Sequence, residues 1–183
     1  MSNIFKLIQE VDFLILNFIR ENTTNPFLDF IMPFITHLGS SGAIWIIICI
    51  ILLALKKSRR TGITLAISLI LCLLICNILL KPLIARPRPY DINTVVEIMV
   101  TKPTDFSFPS GHTTASFAAA VSMLLCKKKQ LGTISLILAF LIAFSRLYLY
   151  VHFPSDVIFG MLLGTILAFF AYYITNFIYE KRQ

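Results

Sequence analysis

The stretch TGITLAISLILCLLICNILL (residues 61–80) has no charged side chain over twenty residues, and KPLIARPRPYD (81–91) follows it directly. About twenty apolar residues are needed for a helix that crosses the hydrocarbon core of a bilayer. The sequence therefore predicts a membrane-spanning helix that ends at three cations, Lys81, Arg86 and Arg88. What these cations bind at the edge of a hydrophobic segment is the question that the rest of the sequence answers.

The composition of the whole chain is typical of an integral membrane protein. Hydrophobic residues make up 57% of the 183 residues, charged residues make up 14%, and the mean hydropathy is +0.84. A soluble domain is closer to half apolar and about one quarter charged. The net charge of +7 is interpreted as basic residues at the cytoplasmic ends of membrane helices, so nucleic acid is not an expected partner.

The distribution of apolar and basic residues predicts an all-α, polytopic membrane bundle of five to six membrane helices. The apolar segments lie at residues 42–55, 61–80, 111–126, 131–151 and 155–178. The basic clusters lie at residues 56–60, 127–129 and 180–183. Placing the clusters inside gives an alternating path, in which the 81–110 loop and the region 145–156 lie on the extracytoplasmic face.

The N-terminal residues differ from the rest of the chain. In residues 4–20, polar and charged side chains interrupt the apolar ones at helical spacing, which predicts an amphipathic helix lying in the membrane interface. A second short helix is expected from about Pro26. We expect a single domain over residues 1–183, with interfacial helices in 1–40 and the core bundle in 41–178.

The segment 81–91 and the motif PSGH (109–112) both favour the binding of an anion. Prolines stiffen the segment that holds Lys81 and Arg88. Ser110 is a plausible N-cap of the next helix, and Gly111 permits close approach to the backbone. Free N–H groups at a helix start favour phosphate.

A third motif, SRLYLYVHFPSD (145–156), contains three ionisable residues. Arg146 and His152 precede Asp156, which is expected in the first turn of the last helix because Pro154 suits the start of that turn. An acid four residues after a histidine can accept its second ring proton and fix its tautomer. Ionisable residues at the ends of membrane helices are costly without a functional role.

The predicted topology brings the three motifs to one face. That face would then combine fixed positive charges, a helix start, two histidines and one carboxylate. This combination is expected for phosphoryl transfer, in which cations hold the phosphate oxygens, one histidine attacks and the other protonates the leaving oxygen.

With these motifs the chain resembles the type 2 phosphatidic acid phosphatase (PAP2) family. The family pattern is a Lys, six residues and Arg-Pro; then Pro-Ser-Gly-His; then Ser-Arg, five residues, His, three residues and Asp. The matching segments are KPLIARPRP (81–89), PSGH (109–112) and SRLYLYVHFPSD (145–156). The resemblance spans residues 42–178 and leaves Arg86 outside the pattern, so we interpret Arg86 as a headgroup contact or an exposed residue.

The resemblance implies a role for each matching position. His152 would be the nucleophile that forms a phosphohistidine, and Asp156 would orient it. His112 would be the general acid for the leaving group and would later help to activate water.

The remaining matching positions would bind phosphate. Lys81, Arg88 and Arg146 would hold the phosphoryl oxygens, and Ser110 and the Gly111 N–H would complete the cradle. The family works without a metal ion, and we expect no cofactor and no metal site.

The expected partners are the bilayer and a membrane lipid that carries a phosphate. The resemblance to small bacterial PAP2 enzymes implies undecaprenyl diphosphate or phosphatidylglycerophosphate as substrate, and the expected site on the outer face favours undecaprenyl diphosphate. Phosphatidylglycerophosphate, phosphatidic acid and phosphotransfer to another lipid remain alternatives. A lipid-phosphate binder or transporter without catalysis is the competing class. Binding alone would require only the cations, so the presence of His112, His152 and Asp156 favours an enzyme.

Overall fold

The computed structural model describes residues 3–181, which are largely helical and contain no β-strand. The α-helices are α1 (Asn3–Thr23), α2 (Pro26–Leu38), α3 (Ala43–Ala54), α4 (Arg59–Leu71), α5 (Lys81–Ile84), α6 (Pro89–Ile92), α7 (Gly111–Leu125), α8 (Lys129–Tyr148) and α9 (Pro154–Glu180). A π-helix, Cys72–Leu80, joins α4 to α5. The all-α class expected from the sequence is confirmed. The end of the basic cluster at 180–183 lies outside the described residues.

Several of these helices are suited to a membrane. Three helical stretches in the described chain are long and apolar enough to cross one: Lys56–Ile92, Lys129–Tyr148 and Pro154–Glu180. A fourth span is formed if α2 and Ser40–Ala54, which meet at 44°, are taken as one broken span. The central helix α7 has only 15 residues, so length and composition support three or four of the predicted five to six membrane helices.

Helix α7 lies at the centre of the bundle, packed against α4, α8 and α9. Its small residues allow this close packing, and most of its side chains are buried. At Gly164 of α9, a Cβ atom would lie only 2.3 Å from the Thr114 carbonyl oxygen, so only glycine fits there. The first turn of α7 therefore packs closely against the N-terminal half of α9.

Side-chain contacts show which helix termini lie together at each end of the bundle. At one end, Arg60 donates to Asn176 Oδ1 over 2.7 Å, and the Cys126 sulfur lies 3.4 Å from Thr64 Oγ1. The start of α4 and the ends of α7 and α9 therefore lie together beside the basic clusters. The starts of α7 and α9 gather at the opposite end, as expected for the alternating path.

Helix α1 corresponds to the amphipathic helix expected over residues 4–20. It contacts α8 and α9, with Leu16 and Asp12 buried. Large apolar side chains, including Phe5, Leu14 and Phe18, are exposed on it. An exposed apolar helix face suits contact with lipid, while the buried Asp12 faces into the protein.

Candidate functional site

The three motifs meet at the end of the bundle opposite the basic clusters. Arg88 donates from Nη1 to the Val151 carbonyl oxygen over 2.6 Å, which joins the first motif to the third. The Ser110 N–H donates to the Asp156 carbonyl oxygen over 3.2 Å, which joins the second motif to the third. The fold thus brings the three motifs together although they are distant in the sequence; Arg88 and Val151 lie more than sixty positions apart.

Arg88 is almost completely buried and lies beside the His152 ring. Its Nη1 is 3.2 Å from His152 Nε2, and its Nε donates to the Asp105 carbonyl oxygen over 2.9 Å. A guanidinium can only donate hydrogen bonds, so the facing ring nitrogen is the one with the lone pair. The contact therefore assigns the lone pair of His152 to Nε2, beside a fixed positive charge.

Asp105 brings a carboxylate between two of the predicted phosphate ligands. It forms ion pairs with Lys81 through Oδ2 and with Arg88 through Oδ1, the latter over 2.7 Å. Burial alone would raise the pKa of Asp105, but the hydrogen bonds and charges of Lys81 and Arg88 outweigh burial and lower that pKa to about 2. An anionic oxygen pair thus already lies where both cations converge.

The other ring nitrogen of His152 faces Ser107 and Asp156. Nδ1 lies 3.4 Å from Ser107 Oγ and 3.6 Å from Asp156 Oδ2, and Ser107 Oγ donates to Asp156 Oδ2 over 2.5 Å. A separation of 3.6 Å is longer than a hydrogen bond. Ser107 therefore contacts both the histidine and the carboxylate that the sequence predicted to interact directly.

The environment of His152 favours its neutral form. The side chain lies between α8 and α9 and is 1% exposed. Burial has the largest effect, followed by the charges of Arg88, Arg146 and Lys81, and together they lower the pKa of His152 well below its usual value of 6.5. At neutral pH the imidazole thus retains its lone pair.

Arg86 occupies a different position from the one that the sequence suggested. Its Nη1 donates to Asp156 Oδ1 over 2.6 Å, and its guanidinium lies 4.0 Å from the centre of the Phe153 ring. The interpretation as a headgroup contact or an exposed residue is wrong, because the side chain is only 17% exposed and is paired with Asp156.

Asp12 connects α1 to the same cluster. Its Oδ2 accepts from Arg86 Nη2 over 2.7 Å and from Ser155 Oγ over 2.5 Å, and its Oδ1 accepts from the Ser155 N–H over 2.9 Å. One buried carboxylate on the N-terminal helix therefore holds both Arg86 and the first turn of α9, in which Asp156 lies.

Two of the predicted site residues carry buried polar atoms without a partner. Arg146 donates from Nη1 to Thr36 Oγ1 over 2.5 Å, but within residues 3–181 its Nε has no hydrogen-bond partner, and neither does His112 Nε2. Buried polar groups without a partner cost free energy. Such atoms are suited to a ligand that supplies oxygen atoms.

The start of α7 lies next to Lys81. The helix begins at Gly111 with Ser110 in the N-cap position, but Ser110 Oγ contacts Thr113 Oγ1 at 2.9 Å instead of capping a backbone amide. A Cβ atom at Gly111 would lie 2.9 Å from Asn77 Oδ1 and 3.6 Å from Lys81 Nζ. The absence of a side chain lets Asn77 and Lys81 approach the backbone at the helix start.

A cavity of about 640 Å³ leads away from this cluster between α3 and α4. At one end it is lined by Lys81, Asp105 and His112, and Asn77 also lines it. The rest of its wall is mainly apolar and includes Ile46, Ile50, Leu69, Ile70 and Leu73. The shape and lining suit an elongated molecule with an anionic end and an apolar chain.

The described part of the chain contains no group of three or more His, Cys, Asp or Glu side chains placed to hold a metal ion. That observation concerns only protein ligands. The expectation that the site works without a metal stays a prediction.

Five polar residues that contact the predicted site are not assigned to it from the sequence: Asp12, Thr36, Arg86, Asp105 and Ser107. Of these, the sequence marks Asp105 only as a loop residue that could touch a substrate. None belongs to the three-part pattern. The available signal was the rarity of charge, since the chain has only nine Asp and Glu residues. An acidic residue within a predicted interfacial helix, or in the loop before PSGH, could have been singled out on that ground.

Comparison with known proteins identifies the family. Residues 61–180 match the PAP2 superfamily. The undecaprenyl-diphosphatase of Sulfolobus acidocaldarius is 35% identical over 149 residues, covering 81% of this chain and 71% of that protein. The undecaprenyl-diphosphatase BcrC of Bacillus subtilis is 32% identical over 145 residues, covering 79% and 74% of the respective chains.

A solved structure agrees with these matches. The crystal structure of a transmembrane PAP2-type phosphatidylglycerolphosphate phosphatase from Bacillus subtilis superposes with a TM-score of 0.73 at 28% identity, covering 97% of this chain and 88% of that one. The chain therefore belongs to the PAP2 superfamily. It is a multi-pass membrane protein and a lipid phosphatase of the PAP2 type.

Proposed function

We propose that the protein hydrolyses the phosphate of a membrane lipid through a phosphohistidine on His152, and that its substrate is undecaprenyl diphosphate. The observation that carries this proposal is the placement of His152. Nε2 lies 3.2 Å from Arg88 Nη1, while Nδ1 faces Ser107 and Asp156. A neutral imidazole held in this tautomer directs its lone pair toward the cations that would bind a phosphate.

In the proposed first step, the His152 Nε2 lone pair forms a bond to the terminal phosphorus. The bond from that phosphorus to the leaving oxygen breaks, and its electron pair stays on the oxygen. His112 donates a proton to this oxygen as general acid. Asp156 and Ser107 stabilise the ring while positive charge develops on it.

In the second step, water attacks the phosphohistidine. His112, now neutral, accepts a proton from the water, the N–P bond breaks and its electron pair returns to Nε2. Inorganic phosphate leaves, and both histidines regain their starting protonation states. The Nε2 atom of His112 is buried without a partner at the end of the cavity, near the same cations that favour a neutral His152. His112 would therefore hold its proton only when the anionic substrate is bound and the leaving oxygen becomes its partner.

Throughout the reaction, the cations would hold the non-bridging phosphate oxygens. Lys81, Arg88 and Arg146 supply three positive charges, and the start of α7 at Ser110 and Gly111 supplies backbone N–H groups. The substrate phosphate would replace Asp105 as the anion between Lys81 and Arg88. Fixed charges in a buried site stabilise charge that develops in the transition state.

The proposed substrate rests on similarity and on chemistry. Two of the relatives that we compared are undecaprenyl-diphosphatases. The apolar cavity beside the cationic end suits a lipid chain. Phosphatidylglycerophosphate is the second candidate, because a solved structure that covers 97% of this chain is a phosphatidylglycerolphosphate phosphatase.

We also propose that the site lies on the extracytoplasmic side and belongs to one domain formed by the whole chain. The basic residues at the opposite end of the bundle support the orientation, and the contact of Asp12 with Arg86 supports a role for the N-terminal helix. In a cysteine-free background, an impermeant thiol reagent applied from outside should label Thr104→Cys but not Lys127→Cys. The reverse labelling would refute the orientation.

The activity is tested by phosphate release in detergent from undecaprenyl diphosphate, phosphatidylglycerophosphate and phosphatidic acid. We expect the highest kcat/KM for undecaprenyl diphosphate and no release by the His152→Ala variant. A higher kcat/KM for phosphatidylglycerophosphate would move the assignment to the second candidate. Full activity of folded His152→Ala would refute the mechanism.

A further inference from the structure

Asn77 is a polar residue within an otherwise apolar membrane segment. It belongs to the π-helix CLLICNILL (Cys72–Leu80), is exposed, and lies one helical turn before Lys81. Within the described chain, the only hydrogen bond to its side chain is a long contact of 3.7 Å from the Cys76 sulfur. An amide at membrane depth is costly without good partners, and π-helical turns occur frequently at functional sites.

The position of Asn77 relates it to the proposed reaction. It lines the cavity where the apolar wall meets the cationic end, together with Lys81 and His112. Its Oδ1 and Lys81 Nζ both lie against the bare backbone of Gly111, as the distances of 2.9 Å and 3.6 Å from a Cβ built there indicate. The amide thus lies between the place of the substrate's apolar chain and the residues proposed to act on its phosphate.

The chemistry at this boundary depends on the leaving group. In a lipid diphosphate, the attacked phosphorus is the terminal one, and the leaving group is a lipid monophosphate. Its phosphate would lie beside His112, which protonates the bridging oxygen, and would enter the cavity ahead of the apolar chain. In a lipid monophosphate the leaving group is an alcohol, which has no phosphate oxygens at this position.

We infer that Asn77 binds the phosphate of the leaving lipid monophosphate and thereby favours lipid diphosphates over lipid monophosphates as substrates. This inference rests on the proposed function and assigns Asn77 a part in its specificity. The side-chain amide donates a hydrogen bond to a charged oxygen, and no proton is transferred to or from it. Lys81, one turn further along, supplies the positive charge on the same side.

The test compares two soluble substrates with the same short prenyl chain, a diphosphate and a monophosphate. The variants are Asn77→Leu, which removes the amide at similar volume, and Asn77→Gln, which retains it. Ile78→Ala is the matched control, because Ile78 is 60% exposed in the same π-helix and does not line the cavity. Values of kcat and KM are measured for all proteins in the same detergent.

We expect Asn77→Leu to lower kcat/KM for the diphosphate by about ten- to a hundredfold, the range for a lost hydrogen bond to a charged group. Its kcat/KM for the monophosphate should change by less than about threefold, which also serves as the check that the variant folds. Asn77→Gln should recover part of the loss, and Ile78→Ala should match the wild type.

If folded Asn77→Leu loses activity equally on both substrates, or on neither, the inference is overturned. Size-exclusion chromatography identifies a misfolded Asn77→Leu protein, in which case Asn77→Gln decides: a selective loss of diphosphate hydrolysis supports the inference, and unchanged or equally lowered activity on both substrates overturns it. The proposed function fails in a distinguishable way, since wild-type protein would then release no phosphate from the diphosphate.

Discussion

Arg86 donates to Asp156, with 2.6 Å between Nη1 and Oδ1. The other terminal nitrogen of the same guanidinium donates to Asp12 over 2.7 Å. Arg86 therefore fixes the carboxylate that faces His152, and it links this carboxylate to the N-terminal helix. In the proposed mechanism Arg86 acts through Asp156 and does not touch the substrate.

Replacing Arg86 by Gln is expected to lower kcat and leave KM little changed. Asp156 would lose a charged partner and its fixed orientation, so the imidazolium that develops at His152 would be less stabilised. The loss of one hydrogen bond to a charged group predicts a decrease of about ten- to a hundredfold. Steady-state kinetics on a lipid diphosphate measures both constants, with Arg59→Gln as the control because Arg59 is exposed at the other end of the bundle. An increase in KM at unchanged kcat would instead indicate direct substrate contact.

Replacing Asp12 by Ala tests whether the N-terminal helix supports the site. The variant would leave Arg86 and Ser155 without a shared acceptor, so we expect a lower kcat and a loss of stability of about 3 kcal/mol, typical of breaking a buried ion pair. Thermal unfolding and kinetics are measured together. Asp29→Ala is the matched control, since Asp29 accepts from Tyr148 Oη over 2.5 Å and joins α2 to α8 without touching Asp156. If both variants lower stability and neither lowers kcat, Asp12 has only a structural role.

Replacing Asp105 by Asn is expected to strengthen inhibition by inorganic phosphate. The Asp105 carboxylate competes with phosphate for Lys81 and Arg88, and the side chain is half exposed, so we expect about a fivefold decrease in the inhibition constant. The pKa of this acid is lowered to about 2, so its ion pairs persist above that pH and are lost only as the pH falls through it. The ratio of the inhibition constants of the variant and the wild type should therefore stay constant from pH 5 to pH 8.

Glu97→Gln is the control for Asp105→Asn, because Glu97 is an exposed acid in the same loop. It should leave inhibition by phosphate unchanged. Weaker inhibition in Asp105→Asn would mean that Asp105 holds Lys81 and Arg88 in place for phosphate and does not compete with it.

The protonation of His152 can be measured directly, because the chain has only three histidines. In the variant His37→Gln/His112→Gln, nitrogen NMR of labelled histidine reports on His152 alone. Burial and nearby cations lower the pKa of His152 well below 6.5, so its imidazole stays neutral as the pH falls through 6.5. We expect the neutral Nδ1–H tautomer at pH 6.5. A titration midpoint at or above 6.5, or the opposite tautomer, would contradict the proposed nucleophile.

Part of this arrangement could be predicted from the sequence. Hydropathy indicated the apolar helices, and the family pattern singled out Lys81, Arg88 and His152 by spacing alone. Pro154 and Pro26 gave local signals for the starts of α9 and α2, and in the structure α9 begins at Pro154 and α2 at Pro26. These features depend on local sequence, which is why they could be predicted.

The contacts around Asp156 could not be predicted in the same way. Asp12 reaches Ser155 across more than one hundred and forty positions, and Arg86 reaches Asp156 across seventy. The first pair depends on how α1 packs against α9, and the second depends on the path of the segment between α5 and α6. Hydropathy encodes neither. The contact of Asp105 with Lys81 and Arg88 likewise depends on the path of the loop that contains Asp105.

The most direct test of the central claim is to trap the phosphorylated enzyme. The protein is mixed with a lipid diphosphate that carries a labelled terminal phosphate, and the reaction is stopped in alkali, in which phosphohistidine is stable. Peptide mass spectrometry then locates the label. The proposed mechanism predicts transient labelling of His152 that forms and decays at rates compatible with turnover, and no labelling in His152→Ala. Phosphate release without any labelled residue, or labelling at another residue in the active protein, would contradict it.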